Sequence, residues 1–178
     1  MKILIIAPHP DDETIGAGGA IARHVALGDD VFWCIVTQGY TPQWPEETLV
    51  KARAQIEEVA EVSGFAGVYA LGFPTVKLNT VPHIDLCAAL QNVIADVKPD
   101  IVYTSSRNDA NLDHRIVYDC MLVAARPLPG HAVRRILSYE IGYTNYFGRP
   151  SGAAMFQPTV FLDISLYLEK KLNALRCY

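Results

Sequence analysis

Four short stretches of this chain are apolar at every position: ILII at 3–6, VFWCIV at 31–36, VYAL at 68–71 and IVY at 101–103. A strand with one wet face alternates apolar and polar residues, whereas a strand apolar throughout has to be covered on both faces. Amphipathic segments long enough for helices separate these runs, and that alternation builds a mostly parallel sheet between helices. The pattern predicts strands over 2–6, 31–37, 67–71, 101–104, 136–140 and 159–163. It predicts helices over 14–27, 46–63, 83–97, 112–125 and 165–178. Gly28, Gly64 and Pro99 stand where helices should stop. Segments 39–45, 72–82 and 127–130 read as loops from their Gly, Pro and polar content. No repeat or linker interrupts the series. A length of 178 residues, with 51% hydrophobic and 19% charged side chains, suits a single α/β domain with a real core.

Composition excludes several function classes. The net charge is −4 and the basic residues are scattered, so the footprint for nucleic acid or anionic lipid is missing. The pairs Arg134-Arg135 and Lys170-Lys171 read as solvated faces. No apolar run approaches the roughly 20 residues of a membrane span. The opening MKILIIAPHP lacks the small-residue cleavage site of a signal peptide. The four cysteines, at 34, 87, 120 and 177, form no CxxC pair, and the first three lie in apolar runs as buried, reduced thiols. These features together predict a cytoplasmic or cytoplasm-facing protein, with oligomeric state left open.

Ligands of open parallel sheets bind beyond the carboxyl ends of the strands. Two polar clusters follow such ends. Directly after the first strand comes PHPDDE, with His9, Asp11, Asp12 and Glu13 within five positions. After the strand at 101–104 comes SSRNDANLDHR, with His114 just inside the next helix. If the two strands are neighbours, His9, Asp12 and His114 converge. Two imidazoles and one carboxylate leave an open position, a set used by catalytic zinc and by some iron(II) sites. A dication would also offset the mutual repulsion of Asp11, Asp12 and Glu13. A helix start alone accounts for one or two acids but not for the second cluster. The nearby GAGG is not a dinucleotide loop: GxGxxG from Gly16 would need glycine at Ile21, and acids at the turn would repel a pyrophosphate. Gly16, Gly18 and Gly19 read instead as close-packing positions. His24, His83 and His131 are isolated from both clusters and read as structural or surface residues.

PHPDDE after the first strand, NLDHR about a hundred residues on, VTQGY after the second strand and QPTVFLDIS near the end resemble the PIG-L/LmbE family of zinc-dependent N-acetylglucosaminyl deacetylases. The resemblance implies a Rossmann-like, three-layer fold. It also implies removal of an acetyl group from an N-acetylated sugar or sugar conjugate. Carried over by position, His9, Asp12 and His114 would bind Zn2+ (Fe2+ suits the same ligands), and Asp11 would be the general base on the attacking water. Glu13 would support the loop, and Asp113 would orient a neighbouring donor or serve as a helix-start acid. Family members often have a histidine at the position of Asn111, thought to stabilise the oxyanion; the asparagine can donate a hydrogen bond there but brings no charge. Arg107 and Arg115 could hold a phosphate or carboxylate, and Arg53 falls near a substrate-contacting arginine of the family. Tyr40 and Trp44 could stack on a sugar. The family usually continues past KKLNALRCY, so residues 1–178 are expected to be a deacetylase domain without the family's C-terminal part. Rival readings are a hydrolase of another amide or an ester, a sugar-binding module without catalysis and, last, a nucleotide-dependent oxidoreductase.

Overall fold

Five parallel strands in the order β3-β2-β1-β4-β5 form the sheet of this protein, seen in a computed structural model that describes residues 1–127, 132–146 and 155–178. They are β1 (Lys2–Ala7), β2 (Asp30–Gln38), β3 (Gly67–Pro74), β4 (Ile101–Thr104) and β5 (Arg135–Ser138). The helices are α1 (Asp12–Ala26), α2 (Glu46–Ser63), α3 (His83–Val97), α4 (Leu112–Ala124), α5 (Gly142–Tyr146) and α6 (Leu168–Leu175). Single 3₁₀ turns lie at Leu78–Thr80 and Ser165–Tyr167. Among the described residues every strand pair is parallel, and helices cover both faces, as the apolar runs require.

The period of two decides which helix each strand residue meets. Leu4, Ile6, Cys34, Val36 and Val102 pack with residues of α3 and α4. Ile3, Ile5 and Val31 pack instead with Ala17, Ala20 and Ile21 of α1, and Trp33 and Ile35 with Val59 of α2. Central strand β1 is buried from Ile3 to Ala7. Its neighbours are β2 and β4, so the chain's order along the sheet reverses at β1 and opens the crevice of a doubly wound sheet at the strands' carboxyl ends. The loops leaving β1 and β4 face that crevice side by side.

Two predicted elements differ. Residues 156–164 include the predicted strand 159–163 but make no ladder, and Val160 and Phe161 are exposed. The segment stands off β5 across a cavity of about 490 Å³ lined by Ile136, Tyr139, Phe156, Val160, Leu162 and Ile164. Ile164 packs against Gly19 of α1, so the segment is drawn over the helical layer rather than onto the sheet edge. The predicted helix 165–178 is divided into the 3₁₀ turn and α6. Of the predicted loop 127–130 only Pro127 lies within the described residues. Among the described residues no helix is long and apolar enough to cross a membrane.

The glycines of α1 are close-packing positions, but their partners lie beyond the sheet. A Cβ on Gly16 would collide with Tyr139 Cδ2, and one on Gly19 would sit 2.5 Å from Ile164 Cδ1. Tyr139 cannot simply swing away, because its hydroxyl donates to the Ile6 carbonyl at 2.8 Å inside the core. Gly16→Ala therefore overpacks a pinned ring. Despite the better helix propensity of alanine, it should lose about 1–3 kcal/mol of stability, read as a lower urea midpoint at unchanged slope.

Candidate metal centre and active site

His9 and Asp12 come from the turn between β1 and α1, and His114 from the first turn of α4 behind β4. The β1–β4 pairing brings them together. His9 Nδ1 lies 3.1 Å from His114 Nε2, and Asp12 Oδ2 lies 3.3 Å from each of these nitrogens. The three donor atoms thus make a nearly equilateral triangle. A tetrahedral ion bonded at about 2.0–2.1 Å would hold such donors about 3.3 Å apart. Donor types and spacing both fit zinc.

Each ligand is held from behind. The backbone N–H of His9 donates to Asp12 Oδ2 at 2.9 Å, which fixes that carboxylate. Nε2 of His9 faces Asp113 Oδ2 at 3.1 Å, and the same oxygen accepts the Val76 N–H at 2.7 Å. Nδ1 of His114 lies 3.0 Å from Asp109 Oδ2, a charge contact lying off the line of a straight hydrogen bond. Asp109 is wholly buried and accepts from the Asn111 N–H and the Thr144 hydroxyl, both at 2.8 Å. These outer carboxylates leave His9 Nδ1 and His114 Nε2 as the nitrogens turned to the triangle.

The cluster demands positive charge. Burial would strip the proton from His9, yet Asp113 and Asp12 outweigh it and push His9 up to about 9. His114 rises likewise to about 9, with Asp109 and Asp12 opposing its burial. Burial works to raise Asp12, but hydrogen bonds from His114 and His9 win and hold it down at about 2. A dication among the three donors would meet the same demand.

Asp11 is different. It caps α1 with φ 119° and ψ −33°, a left-handed backbone that a non-glycine residue adopts at a cost. Burial, then the Asp12 charge, pushes its carboxyl up to about 6. The posture is maintained by Glu13, whose Oε2 accepts the Asp11 N–H at 3.1 Å. Glu13 is buried, accepts from the Thr14 and Tyr178 hydroxyls, and is pushed up by that burial to about 7. Asn111 caps α4: its Oδ1 accepts the Asp113 N–H at 3.0 Å, which leaves its amide hydrogens to donate elsewhere.

The remaining predicted site residues do not gather at the triangle. Arg53 lies exposed on α2, 3.0 Å from Glu46. Arg107 is exposed and 3.4 Å from Asp119. Arg115 is half-buried, with a buried Nε that makes no hydrogen bond. A cleft of about 260 Å³ opens beside His9, lined among others by Pro10, Gly39, Trp44, Leu49 and Tyr178. Trp44 lines it; Tyr40 stands behind, edge-on to Trp44 at 5.4 Å and under Lys77 Nζ at 4.4 Å. His24 is structural, bridging Asp29 at 2.7 Å and the Tyr103 hydroxyl at 3.0 Å. His131 lies outside the described residues. Sequence reasoning missed Asp109; the available signal was an acid in the loop between β4 and the α4 cap, five residues before His114.

A doubly wound sheet with a His-Asp-His triangle at its topological switch point defines a site whose donors could hold a metal ion where such sheets bind their ligands. Residues 4–125, more than half of the chain, match the family model PIG-L, described as GlcNAc-PI de-N-acetylase. The chain belongs to the PIG-L family. It is 28% identical to the uncharacterized deacetylase YaiS of Escherichia coli (strain K12), over 98% of this chain and 88% of that one. It is 27% identical to the diacetylchitobiose deacetylase of Thermococcus kodakarensis, over 99% of this chain and 68% of that one. In structure it is similar to the N,N'-diacetylchitobiose deacetylase from Pyrococcus horikoshii, with a TM-score of 0.77 at 24% identity, covering 99% of this chain and 68% of the other.

Asp109→Asn removes the charge behind His114 while keeping the shape of the side chain. Zinc affinity should fall about 10–100-fold, measured by competition with a chromophoric chelator, with an unchanged circular dichroism spectrum.

Proposed function

We propose that this protein is a zinc-dependent N-deacetylase that hydrolyses the acetamide of an N-acetylglucosamine-type sugar or sugar conjugate, working in the cytoplasm. The observation that carries the reading is the His9–Asp12–His114 triangle with Asp11 next to it. Family membership and the deacetylase relatives support the choice of bond. The reaction consumes one water and releases acetate and a free amine. When bound, the metal would polarise the acetyl carbonyl and acidify a water.

Asp11 takes the proton from the attacking water and later delivers it to the departing nitrogen. Its carboxyl is adjacent to the ligand Asp12 but outside the donor triangle, so it is free for proton transfer. Asn111, with its carbonyl spent on the cap, donates an amide hydrogen to the oxyanion. Asp113 and Asp109 keep His9 and His114 aimed. In the cleft, the Trp44 indole offers a flat apolar face for a sugar ring, and Tyr40 buttresses it. For an anionic substituent, Arg53 and Arg107 are exposed and would first leave weak ion pairs, whereas the Arg115 Nε is buried out of a ligand's reach.

The test is acetate release from a panel of N-acetylated sugars and conjugates. Zinc-loaded protein should turn over a member of the panel, chelated protein should not, and Asp11→Asn should lose about 10²–10⁴-fold in kcat while retaining its zinc. Release of a different acid would assign another amide or ester. A protein that takes up no metal and releases nothing would refute the reading.

A further inference from the structure

A second group of metal-binding side chains lies on the far side of α4. His83 and Cys87 stand four residues apart on α3, and so on one face of that helix. Cys120 of α4 faces them, its Sγ 3.2 Å from His83 Nδ1. The three donor atoms, one imidazole nitrogen and two sulfurs, lie within 4.8 Å of one another. Both thiols are buried, and His83 is exposed at the first turn of α3, so one edge of the cluster is open to solvent.

We propose that His83, Cys87 and Cys120 form a second metal site, for one thiophilic dication of the zinc class, that clips α3 to α4. The donor set is chemically distinct from the first centre. Two sulfurs and an imidazole select a soft d10 ion, where the carboxylate at the first centre favours a harder one. Bonds of about 2.3 Å to sulfur and 2.0–2.1 Å to nitrogen place tetrahedral donors roughly 3.5–3.8 Å apart. The cluster reaches that spacing with adjustments of about 1 Å or less, within the rotamer freedom of Cys and His. Charge favours it too: two thiolates and one dication sum to zero, so a neutral unit replaces two buried thiols inside an apolar cluster that includes Leu86, Leu90, Val117 and Met121. Binding displaces the thiol protons, including that of Cys120, which burial and the adjacent Cys87 hold up to about 12. The open edge at His83 supplies the ion's way in, with solvent as the fourth ligand.

A plain Cys–His hydrogen bond within the core is the competing reading. It explains the 3.2 Å contact, with a Cys87–Cys120 contact beside it, but predicts no ion. Cadmium separates the two, because cadmium thiolates absorb in the ultraviolet and the first centre holds no sulfur. The metal-stripped full chain, kept reduced with a phosphine, would be titrated with Cd2+. The charge-transfer band should saturate at one ion per chain, also in the His9→Ala/Asp12→Ala double variant. It should vanish in Cys87→Ala and in Cys120→Ser. His83→Ala changes an exposed residue and should fold normally; there, half-saturation should need more cadmium. Cd2+ should raise Tm in wild type more than in Cys87→Ala. Absence of the band, or a band undiminished by both Cys87→Ala and His83→Ala, would overturn the proposal.

Discussion

The parallel pairing of β1 with β4 is the interaction on which the His-Asp-His triangle depends. Leu4 stands opposite Val102 and Ile5 opposite Tyr103. That register lets the turn after β1 and the loop after β4 emerge together. Neither loop has a metal site alone: one supplies His9 and Asp12, the other His114. The pairing is rigid because β1 is buried along its length and flanked by strands on both sides. On the other side, the turn after β1 is tied to β2, where Thr37 donates to the Pro8 carbonyl from both its backbone N–H and its hydroxyl. Precision at the site is thus inherited from the most buried strand.

What the rigid frame holds is a concentration of charge that could not survive in the core unpaired. Asp12, Glu13, Asp109, Asp113 and His114 are all buried. Each carboxylate has its own partners: Asp12 and Asp113 the imidazoles, Asp109 Thr144 and the α4 cap, Glu13 the Asp11 backbone and Tyr178. Burying an unpartnered charge would cost several kcal/mol. The network therefore explains why α5 and the last residue of the chain, remote in sequence, reach back to the two loops. It also separates neighbouring carboxyls by protonation: the two imidazoles hold Asp12 down at about 2, while burial and the Asp12 charge push Asp11 up to about 6.

The sheet was legible because strands buried on both faces leave an unbroken apolar run, as β1, β2 and β4 do; the fourth run, 68–71, forms edge strand β3, where Val68 and Ala70 stay exposed. The strand expected at 159–163 failed for the complementary reason. TVFLD carries strand propensity, but propensity does not record whether an edge is available, and Ile164 is drawn to the glycine face of α1. The convergence of His9, Asp12 and His114 was legible because a histidine crowded by acids follows each of two strands, and the two strands turn out to be neighbours. Asp109 was not, since a loop has no period and Asn108, Asp109, Asn111 and Asp113 look alike until Thr144 selects one of them. Tyr40 and Trp44 were offered together for stacking, and only Trp44 lines the cleft, a distinction set by loop backbone rather than residue type.

Helix α4 ties the two donor clusters together. His114 and Cys120 are six residues apart, about 9 Å along the axis and well around the helix. Cys120 faces α3 while His114 faces the β1 turn. The Ser105 hydroxyl donates to the His114 carbonyl at 2.9 Å, so the first turn of α4 is fixed to the end of β4. Farther along, the helix is held by apolar packing on α3 and by the His83–Cys120 contact. Apolar packing resists separation of two helices better than it resists sliding or rotation. A directional link at Cys120 restrains rotation, and rotation of α4 would swing His114 Nε2 out of a triangle whose sides are only 3.1–3.3 Å. Under the proposed reading, a bond at Cys120 would therefore also steady the His114 imidazole, less than two turns away along the same helix.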